Sequence, residues 1–189
     1  MQSPKILFLS GSIRSGSVNN QLAALAAKHA VLANTEVTMI SLGDYPLPIY
    51  DRDYELSRGV PESATKLAEL IRRQHAVYIA SPEYNGSLTP LLKNAIDWVS
   101  RVKSENGSPF KNKIFAIGAA APGGLGGIRA LGHLRDVLMS VGGLVLTEQV
   151  SVPGASSAFD EKGDLTNERS ASLLSAQIAR LVSVSKSLG

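Results

Sequence analysis

Residues 6–33 read ILFLSGSIRSGSVNNQLAALAAKHAVLA, and this stretch decides the fold. It starts with a short apolar run, residues 6–9, that is followed by Ser10 and Gly11, a pattern typical of a buried strand. Residues 21–33 are rich in Ala and Leu and have the length of a helix. Residues 11–20 therefore predict a loop that leads from a strand into a helix.

The loop at residues 11–20 carries several hydrogen-bond donors: Ser12, Arg14, Ser17 and Asn19. A helix start adds free backbone N–H groups and a partial positive charge, so donors at this point favour a bound phosphate. Alternatively, Ser17 or Asn19 caps the helix and Arg14 lies in solvent, because Ser and Asn are common capping residues. One hydroxyl is enough for a cap, whereas an arginine with several hydroxyl and amide groups suits the oxygens of a phosphate. We therefore predict a phosphate-binding loop.

The type of phosphate is restricted by what this loop lacks. No Lys-Ser or Lys-Thr pair follows a glycine run, which excludes a nucleoside triphosphate P-loop. The spacing Gly-x-Gly-x-x-Gly is also missing after the first strand, so the dinucleotide fingerprint is absent there. A lone terminal phosphate, as in a mononucleotide such as FMN, fits the loop better than a pyrophosphate.

Composition narrows the class of protein. The 189 residues, 44% of them hydrophobic, suit a single domain over residues 1–189 with a sizeable core. The sequence contains no Cys, which excludes disulfides, thiolate catalysis and Cys-ligated zinc and is compatible with a cytoplasmic location. We expect neither export nor membrane insertion, because no signal pattern or long apolar run is present. The net charge of +3 comes from scattered Lys and Arg, which argues against nucleic-acid binding.

Strand and helix patterns alternate along the chain. The later predicted strands are residues 36–40, 76–80, 114–119 and 144–151, and the later predicted helices are residues 61–74, 91–101, 128–141 and 167–187. This alternation predicts a parallel sheet that is covered on both faces, with ligands bound beyond the carboxyl ends of the strands. The loops at residues 11–19, 81–89 and 120–127 would then meet.

Two longer connections complete the chain. Residues 43–61 predict a polar loop that is too long for a tight connection, and such loops tend to be functional or to make contacts. Residues 151–167 predict an ordinary surface loop, with a contact to a partner subunit as the alternative.

The second loop begins with the sequence SPEYNGS at residues 81–87. Pro82 and Gly86 allow the backbone to turn with its N–H groups towards a ligand. Tyr84 is suited to packing against a planar ring, and Asn85 to holding the loop or the ring edge. We interpret Glu83 as an acceptor of backbone hydrogen bonds rather than a general base. The alternative is an ordinary turn, since Pro, Asn and Gly are typical turn residues.

The third loop is rich in glycine. Residues 119–127 read AAAPGGLGG, and their glycines, Gly123 and Gly124 among them, leave a segment with few side chains, which lets the backbone approach something flat or charged. A loose glycine linker is the alternative interpretation. Elsewhere, the scattered His29, His75 and His133 predict surface or capping roles rather than catalysis or metal binding.

The segments GSIRSGSVN and SPEYNGSLTPLLKNAIDW together resemble the NADPH-dependent FMN reductase family, a flavodoxin-like group that includes quinone, azo-dye and chromate reductases. The resemblance runs across almost the whole chain. It implies a three-layer sandwich around a five-stranded parallel sheet in the order 2-1-3-4-5. By this resemblance, the residues matching the FMN phosphate positions are Ser12, Arg14, Ser17 and Asn19, and those along the isoalloxazine ring are Pro82, Glu83, Tyr84, Asn85, Gly86, Gly123 and Gly124.

The resemblance also implies a reaction. NADPH, or NADH, would reduce bound FMN by hydride transfer and leave, and a quinone, azo compound, metal oxyanion or flavin would then be reduced at the same face. The flavin carries this chemistry, so no catalytic side chain is expected. Family members are commonly dimers or tetramers with the flavin near the interface, which makes residues 43–61 and 91–101 candidate contacts.

Two other functions remain open on the sequence. A flavodoxin-like electron carrier would bind FMN without turning over a nicotinamide, but such carriers tend to present an acidic face and this chain has a net charge of +3. A redox-responsive interaction protein has no feature in its favour. The acceptor and the preference between NADPH and NADH stay undetermined.

Overall fold

Five strands alternate with helices in the computed structural model, which describes residues 3–105 and 107–188. The strands are β1 (Lys5–Ser10), β2 (Glu36–Ser41), β3 (Ala76–Ala80), β4 (Ile114–Ala120) and β5 (Leu144–Val152). The α-helices are α1 (Val18–Leu32), α2 (Arg52–Arg58), α3 (Glu62–Arg72), α4 (Pro90–Ser100), α5 (Ile128–Ser140) and α6 (Glu168–Leu188). Short 3-10 turns occupy Leu42–Asp44 and Ala155–Ser157.

The strands form one parallel sheet in the order β2-β1-β3-β4-β5, as the family resemblance implied. The chain order reverses between β1 and β3, which lie side by side in the sheet. In sheets of this kind the crevice outside the carboxyl ends of the strands at the reversal is where ligands bind. The topology therefore brings the first and second loops together at that edge.

Helices cover both faces of the sheet. On one face α1 and α6 pack over Phe8 and Tyr78, and on the other α3, α4 and α5 pack over Leu9 and Ile79. Central strand β3 is buried at every residue, because helices exclude water from both of its faces. This arrangement confirms the predicted three-layer sandwich.

The expected strands and helices are present, with ends shifted by a few residues. Helix α1 begins at Val18, three residues before the predicted start, and Ser17 takes the extended conformation of an N-cap residue. The prediction of a polar loop over all of residues 43–61 was wrong in part, because α2 forms there. The carboxylate of Asp51 accepts a 2.8 Å hydrogen bond from the N–H of Tyr54, and Gly59 ends the helix with a positive φ.

The segment that follows β2 is attached to α4. The ring of Tyr50 meets that of Trp98 edge-on at 5.0 Å, and Trp98 Nε1 donates a 2.7 Å hydrogen bond to the carbonyl of Pro48. Arg101 Nε donates to the carboxylate of Glu55 at 2.9 and 3.1 Å, and this hydrogen bond lowers the pKa of the Glu55 carboxyl. The two segments expected at a subunit interface therefore contact each other within one chain.

Candidate active site

A cleft of about 330 Å³ lies at the carboxyl ends of β1, β3 and β4. The first loop and the start of α1 line it with Ser12, Arg14, Ser17, Val18 and Asn19. The second loop contributes Pro82, Glu83 and Tyr84, and the opposite wall consists of Ala120, Ala121, Pro122 and Ser156. The structure thus brings the donors of the first loop and the start of the SPEYNGS turn into one site.

Ser17 is buried at the start of α1, and its hydroxyl makes no capping hydrogen bond. Its carbonyl accepts from the N–H groups of Asn20 and Gln21 at 3.0 and 3.2 Å, which starts the helix. The first N–H groups of a helix have no partner within it and carry a partial positive charge. The interpretation that the Ser17 side chain caps the helix is wrong, and the hydroxyl stays available to a ligand in the cleft.

Arg14 is the cation of the first loop. Its N–H group donates to Ser12 Oγ at 3.3 Å, which folds the loop back on itself. Among the residues that the structure describes, the exposed guanidinium makes only long hydrogen bonds, 3.3 Å to the carbonyl of Ser15 and 3.4 Å to that of Gly16. Such weak contacts are easily exchanged for a charge-assisted hydrogen bond to an anion.

Asn19 lines the cleft but directs its carboxamide at the sheet. Nδ2 donates to the carbonyl of Ala120 at 2.8 Å, and Oδ1 accepts from the N–H of Ala120 at 2.9 Å. The side chain is only 2% exposed. Asn19 does not cap α1, and its role as a phosphate ligand stays a prediction.

The second loop closes as a two-residue hairpin. Tyr84 and Ser87 exchange backbone hydrogen bonds of 2.9 and 3.0 Å, and Asn85 and Gly86 between them have φ values of 51° and 81°. Two positive φ values define the type I′ turn, for which Asn-Gly is the preferred sequence. Asn85 and Gly86 shape this turn and lie outside the cleft lining, so their contact with a ring stays a prediction. Tyr84 lines the cleft and is 53% exposed.

Glu83 connects the second loop to α5. Its Oε2 accepts hydrogen bonds from the N–H groups of Arg129 at 3.1 Å and Ala130 at 3.2 Å. The N-cap residue of α5 is Gly127, which has no side chain that could do this. The interpretation of Glu83 as an acceptor of backbone hydrogen bonds is confirmed, and its carboxylate replaces the missing cap.

The third loop uses other glycines than those expected at the ring. Gly123 and Gly124 lie outside the cleft lining, and a Cβ on either would have open space around it. By contrast, a Cβ on Gly126 would lie 2.7 Å from the backbone nitrogen of Pro153, and one on Gly127 would lie 2.7 Å from the Cβ of Ala119. Both have positive φ values. The backbone of the third loop therefore requires glycine at residues 126 and 127, directly before the start of α5.

Ser156 is a cleft residue that the sequence did not indicate. It belongs to the 3-10 turn Ala155–Ser157, inside the segment expected to be an ordinary surface loop. Ala155 N–H donates to the carbonyl of Ala121 at 3.1 Å, and Ala121 N–H donates to the carbonyl of Val152 at 3.1 Å. These bonds bring the loop to the site wall, and no local pattern could have signalled them.

The histidines are scattered in space as well as in sequence. His75 Nδ1 accepts from the N–H of Lys5 at 2.8 Å, and His133 Nδ1 lies 2.9 Å from Ser87 Oγ. Burial lowers the pKa of His29. Over residues 3–105 and 107–188, no group of three or more His, Asp or Glu is placed to hold a metal ion.

Comparison with known families decides the assignment. The model of the NADPH-dependent FMN reductase family matches residues 4–157. The chain belongs to this family. An NAD(P)H-dependent FMN reductase of Pseudomonas aeruginosa is 37% identical over 94% of this chain and 92% of its own length. A quinone reductase of Escherichia coli K12 is 35% identical over 76% of this chain and 74% of its own length.

A solved structure agrees with the family. FerB, a flavoenzyme NAD(P)H:(acceptor) oxidoreductase from Paracoccus denitrificans, has a TM-score of 0.81 and 27% identity, covering 97% of this chain and 98% of that one. The expectation of an FMN-dependent oxidoreductase with a flavodoxin-like fold is confirmed by this membership.

The cleft of this reductase fits the cofactor of the family. A terminal phosphate needs several donors and a positive potential at one point. The unused hydroxyl of Ser17, the weakly held guanidinium of Arg14 and the N-terminus of α1 supply them. In the part of the chain that the structure describes, no helix has the length and hydropathy needed to cross a membrane.

Proposed function

We propose that the protein oxidises NADPH or NADH and passes the electrons to a quinone, azo compound, metal oxyanion or free flavin, with donor and acceptor using the same open cleft in turn. The observation that carries this proposal is that a single cleft is lined by the N-terminus of α1, which suits an anion, and by the Tyr84 hairpin. Support also comes from relatives named as FMN and quinone reductases. When bound, FMN supplies the hydride and electron chemistry.

The side chains of this protein bind and orient the cofactor. In our proposal, Ser12, Arg14, Ser17 and the N-terminus of α1 hold the phosphate. The hairpin from Pro82 to Gly86 and the loop around Gly123 and Gly124 lie along the ring. Tyr84 leaves half of its surface exposed, so a flat substrate can approach from solvent. In our proposal, an open site of this kind lets one enzyme accept chemically different oxidants.

We further propose that the protein is a homodimer or homotetramer. Support comes from Ile49, which is 87% exposed, and Leu56, which is 69% exposed, both in the segment that packs on α4. In the proposed oligomer a partner subunit would cover these side chains and so remove their apolar surface from water. Sedimentation of the wild type and of Leu56→Arg tests this proposal: a shift of the variant to monomer supports the interface, and a monomeric wild type contradicts it.

The experiment for the activity is an anaerobic titration of the purified protein. We expect a yellow protein whose visible flavin absorbance is bleached by NADPH, by NADH or by both, and returns when a quinone is added. The same titration with the two nicotinamides measures the preference between them. A colourless protein that does not take up added FMN would contradict the proposal.

A flavodoxin-like electron carrier is the second candidate. It would bind FMN with the same cleft but would show no rapid bleaching when mixed with either nicotinamide in a stopped-flow instrument. The net charge of +3 disfavours it, because carriers that dock on reductases tend to be acidic.

A single domain over the whole chain and a cytoplasmic location stay predictions.

A further inference from the structure

Asn19 joins two parts of the cleft that are far apart in the sequence. Its carboxamide exchanges hydrogen bonds of 2.8 and 2.9 Å with the carbonyl and N–H of Ala120, which is 101 residues away. Asn19 lies in the first turn of α1, two residues after Ser17. Ala120 is the last residue of β4 and is followed by Ala121 and Pro122 in the cleft wall. The phosphate side and the opposite wall of the cleft are therefore held together by one side chain.

The chemistry of the carboxamide leaves little for a ligand. An Asn side chain offers one oxygen acceptor and two N–H donors. Both the oxygen and one N–H are engaged by Ala120, which also fixes the orientation of the group. The residue is 98% buried, so the pair is shielded from water and breaking it would leave two peptide groups unsatisfied. Only the second N–H of Nδ2 remains for a phosphate.

We infer that Asn19 is a positioning residue that sets the separation between the phosphate loop and the wall formed by Ala121 and Pro122, and that it is not principally a ligand of the phosphate. This inference rests on the proposed FMN site. It departs from the role implied by the family resemblance, in which Asn19 belongs to the phosphate positions. The two roles predict different responses to a flavin that has no phosphate.

Riboflavin separates the two roles because it has the ring and ribityl chain of FMN without the phosphate. The affinities of the apoprotein for FMN and for riboflavin are measured by quenching of flavin fluorescence. We expect Asn19→Ala to lower the affinity for FMN and the affinity for riboflavin by a common factor on the order of 10. Arg14→Ala, in contrast, should lower the affinity for FMN and leave the affinity for riboflavin unchanged. Asn20→Ala is the matched control, since Asn20 has the same side chain one position later and lies outside the cleft lining.

A loss of FMN affinity with unchanged riboflavin affinity in Asn19→Ala would overturn the inference, and so would unchanged affinity for both flavins. A wild-type protein that binds neither flavin overturns the proposed function as well, which distinguishes the two failures. Where Asn19→Ala does not fold, the wild type gives the answer through the side-chain amide resonances of ¹⁵N-labelled Asn19. The same shift with FMN and with riboflavin supports the inference, and a shift produced by FMN alone overturns it.

Discussion

Thr89 Oγ1 donates a 2.7 Å hydrogen bond to the carbonyl oxygen of Gly11, which joins the end of the second loop to the start of the first. Glu83 ties the second loop to the start of α5, and Asn19 ties the start of α1 to the end of β4. The three loops of the cleft are thus linked in pairs by side chains. A site held in this way binds its ligand with a smaller loss of conformational entropy.

The link between Thr89 and Gly11 predicts a loss of stability in Thr89→Val. The isosteric valine removes the hydroxyl, which leaves the buried carbonyl of Gly11 without its donor and the N–H of Leu92 without its cap. We expect the free energy of unfolding to fall by about 1–3 kcal/mol in urea titrations of the apoprotein. Thr89→Ser keeps the hydroxyl and is the control. Equal stability of Thr89→Val and wild type would rule out this role.

Glu83 provides a test of capping against acid–base catalysis. Glu83→Ala uncaps α5 and should cost about 0.5–2 kcal/mol in the free energy of unfolding, whereas Glu83→Gln keeps an oxygen acceptor and should recover part of the loss. If Glu83 is not a general base, the pH profile of kcat in Glu83→Gln keeps the shape of the wild-type profile. The disappearance of one limb of that profile would instead assign the proton transfer to Glu83.

The glycines of the third loop should differ in their tolerance of alanine. Gly127→Ala forces a Cβ to within 2.7 Å of the Ala119 Cβ at a φ of 87°. We expect a loss of more than about 1 kcal/mol in thermal unfolding. Gly124→Ala places its Cβ in open space and should change stability by less than about 0.5 kcal/mol. Weaker FMN binding in a stable Gly124→Ala would support the predicted contact of this loop with the ring.

Arg14 gives a measure of the phosphate interaction. Arg14→Ala removes a guanidinium whose hydrogen bonds to the loop carbonyls are 3.3 and 3.4 Å long, so the fold should be unaffected. A lost charge-assisted hydrogen bond corresponds to about 1.5–3 kcal/mol of FMN binding free energy. Isothermal titration of the apoprotein measures it. Full FMN affinity in this variant would count against the assignment of the first loop to the phosphate.

Tyr78 and Gly118 form a coupled pair under α1. The buried hydroxyl of Tyr78 finds no hydrogen-bond partner among the described residues, and a Cβ on Gly118 would collide with it. Tyr78→Phe should therefore raise the free energy of unfolding by about 1 kcal/mol. Gly118→Ala should destabilise the wild type but not Tyr78→Phe to the same extent, as a double-mutant cycle of chemical unfolding would measure. Independent effects of the two substitutions would contradict the contact.

The same tyrosine predicts a dependence of stability on pH. Burial raises the pKa of the Tyr78 hydroxyl, so the folded state favours the protonated form. The corresponding stability is complete below the ordinary tyrosine pKa of about 10 and is lost as the pH rises above it. Unfolding measured between neutral and alkaline pH should show a steeper loss in the wild type than in Tyr78→Phe. Parallel curves would mean that Tyr78 ionises normally in the fold.

Local patterns in the sequence determined the elements and the positions of the loops. The apolar runs of the strands, the donors ahead of α1 and the Asn85-Gly86 turn depend on neighbouring residues, so they are visible without a structure. Helix α2 was missed although Asp51 and Gly59 mark its two ends, because seven polar and apolar residues between them gave no clear period.

Only the tertiary structure decided which polar groups remain available to a ligand. The Ser17 hydroxyl makes no capping hydrogen bond, whereas Asn19 directs its carboxamide to a backbone group 101 residues away and Glu83 directs its carboxylate to one 46 residues away. The cleft also gains Ser156 from a loop that looked unrelated to it. The physical reason is that a hydrogen bond depends on distance and direction in space, and distant segments reach those positions only when the sheet and its helices pack together.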